Sequence, residues 1–136
     1  MGYDQRRIVI TGMGVMAPGG TGTKAFWELL SSGKTATRLI TLFDPADFRS
    51  RVAAECDFDP ATEGLAPQEI RRMDRAAQLG VVAAREAIAD SGLDPTGRDP
   101  SRIAVTMGTA TGATTGLDAE YRVVSDGGRL ELVDPA

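Results

Sequence analysis

The amino-terminal segment is a run of apolar residues that leads directly into a glycine-rich turn, and it constrains the fold more than any other feature. Residues 7–11 read Arg-Ile-Val-Ile-Thr, and Gly12, Gly14 and Gly19 follow closely. A short apolar run that ends at turn residues is typical of a strand covered on both faces. The pattern therefore predicts a buried strand over residues 6–11, followed by a tight turn.

The same turn also matches the spacing of a dinucleotide-binding fingerprint, Gly12-x-Gly14-x-x-Ala17, in which small residues let a pyrophosphate approach the start of a helix. The residues that follow do not fit this hypothesis. Pro18 and the glycines behind it stop the helix that the fingerprint requires. Where the fingerprint expects a second strand ending in an acidic residue, the sequence shows a helical pattern. A dinucleotide-binding domain of an oxidoreductase stays an alternative interpretation.

Charge and hydropathy exclude two classes of partner. The 136-residue chain has the length of one domain and carries 15 Lys and Arg against 19 Asp and Glu, a formal net charge of −4. Nucleic acid is not an expected partner, because this balance provides no basic surface for a phosphate backbone. No apolar run reaches the roughly 18 residues that a membrane span needs, and the first residues lack a signal-peptide core. We therefore expect a soluble cytoplasmic protein with no membrane partner.

The cysteine and histidine content limits the chemistry that the chain encodes. There is one cysteine, Cys56, and no histidine. An intramolecular disulfide, a cysteine-rich metal site and every Ser-His or Cys-His mechanism therefore lie outside what this sequence alone provides. Cys56 stands between Glu55 and Asp57, whose negative charges disfavour a thiolate. We expect Cys56 to be a packing residue, and the sequence predicts no catalytic residue and no metal ligand.

Helical spacing predicts two long helices. The first covers residues 23–32, with Thr23 as its N-cap and Gly33 as its end. The second covers residues 73–91, has Asp74 near its start, and is apolar nearly all round with small side chains. Such a helix belongs inside a protein, with other elements packed closely against it. A chain of this length offers little to surround it, so we expect the rest of its surroundings to lie outside this sequence.

The remaining elements are shorter. Turn signals are dense in the middle of the chain and leave only residues 51–56 as a short strand. A second buried-type strand is predicted over residues 102–108, and the helix after it has Thr115 and Asp118 at the spacing of a capping box. A last short strand is predicted over residues 129–133.

Two groups of polar residues are candidates for contacts with other molecules. The pair Arg71-Arg72 with Asp74-Arg75, at the entry to the second long helix, could hold an acidic partner. A charge run of this kind is usually a solvated or ion-paired helix start, and we favour that interpretation. Small residues at a strand end leave room for a ligand, and four threonines stand beside glycines after the second predicted strand. They are Thr109, Thr111, Thr114 and Thr115. Turn and capping chemistry explains the last two equally well.

Several runs, in order along nearly the whole chain, resemble the β-ketoacyl synthases. More narrowly, they resemble the ketosynthase α subunit of bacterial type II aromatic polyketide synthases. The runs are residues 7–15, 22–30, 43–51, 53–60 and 72–78. The form Met73-Asp74-Arg75-Ala76 favours the catalytic α subunit over its non-condensing partner, the chain length factor.

The resemblance implies an α/β protein in which residues 1–136 are one incomplete domain, part of the amino-terminal half of a thiolase-like layered αβαβα fold. The glycine-rich turn would be a structural corner, and the small-residue helix would pack between sheets. Enzymes of this family are acyltransferases of the 3-oxoacyl-[acyl-carrier-protein] synthase type, which join malonyl units to an acyl thioester by decarboxylative Claisen condensation. The implied partners are acyl carrier protein and, as heterodimer partner, a chain length factor. No cofactor is implied beyond the phosphopantetheine arm that carries the substrates.

The same resemblance implies that the bond-making residues are not in this sequence. In the family a cysteine at a strand-to-helix elbow takes the acyl chain, and two histidines assist decarboxylation and stabilise the enolate. Cys56 does not fall at the elbow, whereas Thr111 falls where the acyl pocket is lined and is the implied substrate-binding residue. We therefore expect an amino-terminal fragment that is inactive alone, with exposed apolar surface and a tendency to aggregate. A non-catalytic interaction module is the other alternative, and it predicts a stable, monodisperse chain.

Overall fold

The computed structural model describes residues 7–127, which contain four helices and four short strands. The strands are β1 (Met16–Ala17), β2 (Gly20–Thr21), β3 (Arg38–Leu39) and β4 (Val52–Ala53). The helices are α1 (Thr23–Ser32), α2 (Pro67–Arg72), α3 (Arg75–Ser91) and α4 (Thr114–Ser125), with a 3₁₀ turn at Pro100–Arg102. The described residues divide into two units, one of residues 7–57 with Ala83–Asp94 and one of Phe58–Val82 with residues 95–127.

In the first unit the glycine-rich turn forms a small antiparallel hairpin. β1 pairs with β2, so that Met16 lies opposite Thr21 and Ala17 opposite Gly20. The reversal uses Gly19 at a φ of 96°, a backbone conformation that residues with a Cβ atom rarely adopt. α1 begins directly after this hairpin, so the glycine-rich segment leads from a short strand pair into a helix.

The predicted helix over residues 23–32 is confirmed by α1, and one detail of its start is wrong. Gly22 is the N-cap residue and makes no side-chain cap bond, while Thr23 is already the first helical residue. The end is as predicted, because Gly33 adopts the left-handed conformation at a φ of 67° and donates its N–H to the carbonyl of Leu30.

Gly12 and Gly14 lie against the second half of α3. A Cβ atom added at Gly12 would overlap the carbonyl oxygen of Ala87 and lie 2.5 Å from the amide nitrogen of Ser91. A Cβ atom added at Gly14 would overlap the carbonyl oxygen of Ala83. The two glycines are therefore required by the close approach of two backbones.

The predicted strands over residues 6–11 and 102–108 are wrong for the described residues. Neither segment is assigned as strand, and Ile8 and Ile10 are 95% and 82% exposed, as is Val105 at 93%. A strand is held by hydrogen bonds to a neighbouring strand, and within residues 7–127 neither segment pairs with one. Their apolar side chains therefore face solvent instead of a core.

Residues 38–57, which we call the excursion, are built on a second antiparallel hairpin. β3 pairs with β4, with Arg38 opposite Ala53 and Leu39 opposite Val52. The strand predicted over residues 51–56 is thus reduced to the two residues of β4. At the tip of the excursion the rings of Phe43 and Phe48 meet edge to face, with centroids 5.5 Å apart.

In the second unit the side chain of Gln78 links the first half of α3 to the end of α2. Asp74 accepts the N–H of Ala77 at 2.8 Å, so the predicted role of Asp74 at the helix start is confirmed, with α3 beginning at Arg75. Gln78 is buried and donates its Nε2 to the carbonyl oxygens of Ile70 (3.1 Å) and Met73 (2.9 Å). This side chain fixes the turn that joins α2 to α3.

The small-residue helix α3 is only partly covered by the described residues, in line with the expectation that this chain offers little to surround it. Only Gln78 and Val82 of α3 are buried, and Ile88 is 49% exposed. No described side chain is fully buried. Most side chains of α3 are therefore half-buried or exposed.

The capping box predicted for the last helix is also wrong. α4 begins at Thr114, which places Ala113 at the N-cap, where it provides no side-chain bond. Asp118 instead pairs with Arg122, one turn further along, at 3.0 Å. The strand predicted over residues 129–133 lies outside the described residues.

Candidate functional site

Two carboxylates of α3 hold the glycine-rich turn. Glu86 accepts the N–H groups of Val15 and Thr23, each at 2.8 Å, and the hydroxyl of Thr23 at 3.0 Å. Asp90, one helical turn later, accepts the N–H of Met13 at 2.9 Å. Both carboxylates project from one helix face because they are four residues apart. We call this arrangement the carboxylate clasp, formed by Glu86 and Asp90 on residues 13–23.

The environment of Glu86 favours its charged form. The N–H groups of Thr23 and Val15 hold the pKa of Glu86 below its usual value, and partial desolvation opposes this only in part. An ionised carboxylate at the first turn of α1 also complements the positive end of that helix. Glu86 is therefore a structural anion.

The geometry around the carboxylate clasp argues against the dinucleotide-binding hypothesis. Gly22 donates its N–H to the carbonyl of Val15, and β1 and β2 form a hairpin where the fingerprint needs an unbroken helix. The N–H groups of Val15 and Thr23, which a phosphate would use, are bonded to Glu86. Gly12 and Gly14 serve the contact with α3 instead of the approach of a ligand.

A buried carboxylate, that of Glu55, organises the excursion over residues 38–57. The side chain of Glu55 is 5% exposed and accepts the N–H of Thr41 at 3.0 Å, the Thr41 hydroxyl at 2.8 Å and the N–H of Leu42 at 3.1 Å. Arg38 reaches Glu55 at 3.4 Å and forms a two-pronged pair with Asp57, at 2.7 and 2.5 Å.

These bonds favour the charged forms of Arg38, Glu55 and Asp57. The N–H of Thr41 is the main cause of the lowered pKa of Glu55, and Arg38 is the main cause of the lowered pKa of Asp57. Asp57 in turn raises the pKa of Arg38. Cys56, between the two acids, is half-buried. Its packing role stays a prediction.

Thr111, the predicted substrate-binding residue, is exposed in the bend that precedes α4. Nearby, the Thr109 hydroxyl accepts the N–H of Gly112 at 3.0 Å, and Gly112 has a φ of 64°. Thr109 therefore has a turn-stabilising bond of the kind that threonine commonly makes. Thr111 lies outside the regular elements, and its role in substrate binding stays a prediction.

Arg71 and Arg72 are exposed in the last turn of α2. The next arginine along the chain is engaged internally, since the Arg75 guanidinium lies 5.4 Å from the centre of the Phe58 ring and donates to the Phe58 carbonyl at 3.3 Å. The α2 helix thus presents two basic side chains from a turn that Gln78 fixes.

Within residues 7–127 no group of three or more His, Cys, Asp or Glu side chains is arranged to hold a metal ion. In the same range no helix has the length and apolar character to cross a bilayer.

The family model described as "Beta-ketoacyl synthase, N-terminal domain" matches residues 5–132. The chain therefore belongs to the β-ketoacyl synthase family, in the region of that N-terminal domain. The matched residues include the glycine-rich turn and both carboxylates of the clasp.

Two relatives indicate which members of the β-ketoacyl synthase family this chain resembles. The tetracenomycin polyketide synthase ketoacyl synthase alpha subunit of Streptomyces glaucescens is 62% identical over 132 residues, which are 97% of this chain and 31% of the relative. The 3-oxoacyl-[acyl-carrier-protein] synthase 2 of Coxiella burnetii is 36% identical over 130 residues, 95% of this chain and 31% of that protein. The chain thus spans about a third of the length of these relatives.

A solved structure confirms the predicted fold class. The ishigamide ketosynthase/chain length factor superimposes with a TM-score of 0.73 at 31% identity, covering 93% of this chain and 32% of that chain. The fold is therefore α/β and thiolase-like, and the chain corresponds to part of a ketosynthase.

Sequence reasoning missed the residues that hold the site together. Glu86, Asp90 and Glu55 were not singled out, although two acids four residues apart on an otherwise small and apolar helix are a usable signal. For Glu55 the sequence offers no comparable sign, since it lies among other charged residues.

Proposed function

We propose that this chain is the amino-terminal region of a polyketide β-ketoacyl synthase α subunit. The complete enzyme would extend an acyl thioester by decarboxylative Claisen condensation with malonyl units delivered on acyl carrier protein. The 62% identity to the tetracenomycin subunit over 97% of this chain carries the proposal. The carboxylate clasp supports it, because the bonds of Glu86 remove the competing dinucleotide site.

We further propose that the chain does not catalyse condensation alone. Nucleophilic attack on a thioester needs an activated cysteine, and decarboxylation needs groups that stabilise the enolate oxyanion. The chain contains no histidine, and its one cysteine, Cys56, lies in the excursion between two carboxylates that are engaged with Arg38. In the complete enzyme this region would supply scaffold, with Thr111 contributing to the wall of the acyl pocket.

The proposed substrates arrive on the phosphopantetheine arm of acyl carrier protein, so no further cofactor is proposed. Arg71 and Arg72 are an exposed basic pair on a turn that Gln78 fixes, and a carrier protein with an acidic surface would be complementary to them. Electrostatic complementarity of this kind increases association rate and orients the partner. We place the carrier protein contact at this pair.

A chain length factor is the proposed heterodimer partner. The solved structure that this chain resembles is that of a ketosynthase with a chain length factor, which supports the same assembly here. Location in the cytoplasm, where carrier proteins and their synthases would meet, is proposed on the same basis.

A chimera tests the proposed function directly. Residues 5–132 of this chain replace the matching third of the Streptomyces glaucescens subunit, which is produced with its chain length factor and acyl carrier protein. We expect the chimera to convert malonyl-loaded carrier protein to polyketide and the isolated chain to give none. Thermal unfolding of the chimera is measured in parallel, so that a folded but inactive chimera contradicts the proposal.

The same material separates the alternatives. Activity of the isolated chain would overturn the view that it is scaffold only. Saturable binding of a dinucleotide, measured by calorimetry, would favour the oxidoreductase hypothesis instead, and the occupied N–H groups at Glu86 predict none.

A further inference from the structure

We draw no further inference here: the strongest candidate, the exposed apolar segment of residues 8–10 that leads into Gly12, is an unpartnered face, and nothing in the described residues shows what covers it.

Discussion

At the scale of single residues, Glu86 performs the task that a bound anion performs at other helix starts. Its two oxygens serve the N–H groups of Val15 and Thr23, so the turn before α1 and the first turn of α1 depend on the same side chain. Hydrogen bonds to an ionised acceptor are stronger than neutral ones. The negative charge, and not only the shape of this residue, should therefore matter.

We expect Glu86→Gln to loosen the carboxylate clasp. The amide keeps the shape but replaces one acceptor by a donor that faces an N–H group, a loss of roughly 1–2 kcal/mol for a partly exposed site. Hydrogen exchange of the Val15 and Thr23 amides should become several-fold faster. The control is Glu28→Gln on α1. The carboxylate of Glu28 is exposed, and its ion pair with Lys24 is long, at 4.0 Å. Equal exchange rates in the two variants would contradict the assignment.

The pH dependence of the clasp follows from the same bonds. The pKa of Glu86 is lower in the folded chain than its ordinary value of 4.5. A lowered pKa stabilises the fold above the unfolded value, and this stabilisation disappears as the pH falls through the folded value. Protection of the Thr23 amide should therefore be constant near pH 7 and decrease below about pH 4.5. In Glu86→Gln this pH dependence should be flatter, and a profile parallel to that of the unsubstituted chain would refute the mechanism.

The basic pair on α2 gives a prediction about the proposed carrier contact. In the chimera, R71E/R72E should raise the KM for acyl carrier protein by about tenfold, or about 1.4 kcal/mol, while kcat changes little. The effect should shrink at high salt. K34E/R49E makes the same charge change at two other exposed positions of the chain. A comparable rise in KM for both variants, or a loss confined to kcat, would contradict a carrier protein contact at Arg71 and Arg72.

At the scale of elements, the three longer helices could be predicted from the sequence, whereas the short helix α2 and most of the strand bounds could not. A helix satisfies its backbone within its own segment, so the pattern of residues 23–32 was enough to place α1 between Gly22 and Gly33. A strand needs a partner from elsewhere in the chain. Apolar residues 8–10 therefore indicated where a strand would be favourable, without providing the neighbour that makes one.

The candidate site could likewise be predicted where it depends on local sequence, and not where it depends on contacts between distant residues. The sequence indicated that Pro18 interrupts any fingerprint helix, which is a local effect. It did not indicate that Glu86 would bond to Val15, because a bond between residues 71 positions apart leaves no local pattern. Thr111 was proposed first as one of four threonines beside glycines at a predicted strand end and then, as a substrate-binding residue, from the resemblance. Its role stays a prediction.

The contact between the glycine-rich turn and α3 yields an element-scale prediction. Gly14→Ala places a methyl group on the carbonyl of Ala83, so α3 or the turn must shift, at a cost of about 1–3 kcal/mol. The shift should also lengthen the bond between Val15 and Glu86 and accelerate exchange of the Val15 amide. Gly116→Ala in α4 is the matched control, since its added Cβ meets no atom within 4 Å and alanine favours a helix. Equal destabilisation by both changes would contradict the packing argument.

At the scale of the whole molecule, the described residues bury little apolar surface for their number. The buried hydrophobic residues are Phe58, Leu65 and Val82, whereas Ile8, Ile10 and Val105 are almost entirely exposed. A large exposed apolar area favours association with other apolar surfaces. The interaction-module alternative requires the opposite, a chain that is stable and monodisperse by itself.

We therefore expect the isolated 136-residue chain to self-associate and to bind a hydrophobic dye, as measured by size exclusion with light scattering and by dye fluorescence. The double variant I8K/I10K should reduce both signals, because it adds charge to the most exposed apolar segment without touching the carboxylate clasp. K24E/K34E, which changes charge at sites away from that segment, should not reduce dye binding. A monodisperse monomer without dye fluorescence would show that the side chains of Ile8 and Ile10 are covered in solution. That result would favour an independent interaction module over a region whose stability depends on the rest of a synthase.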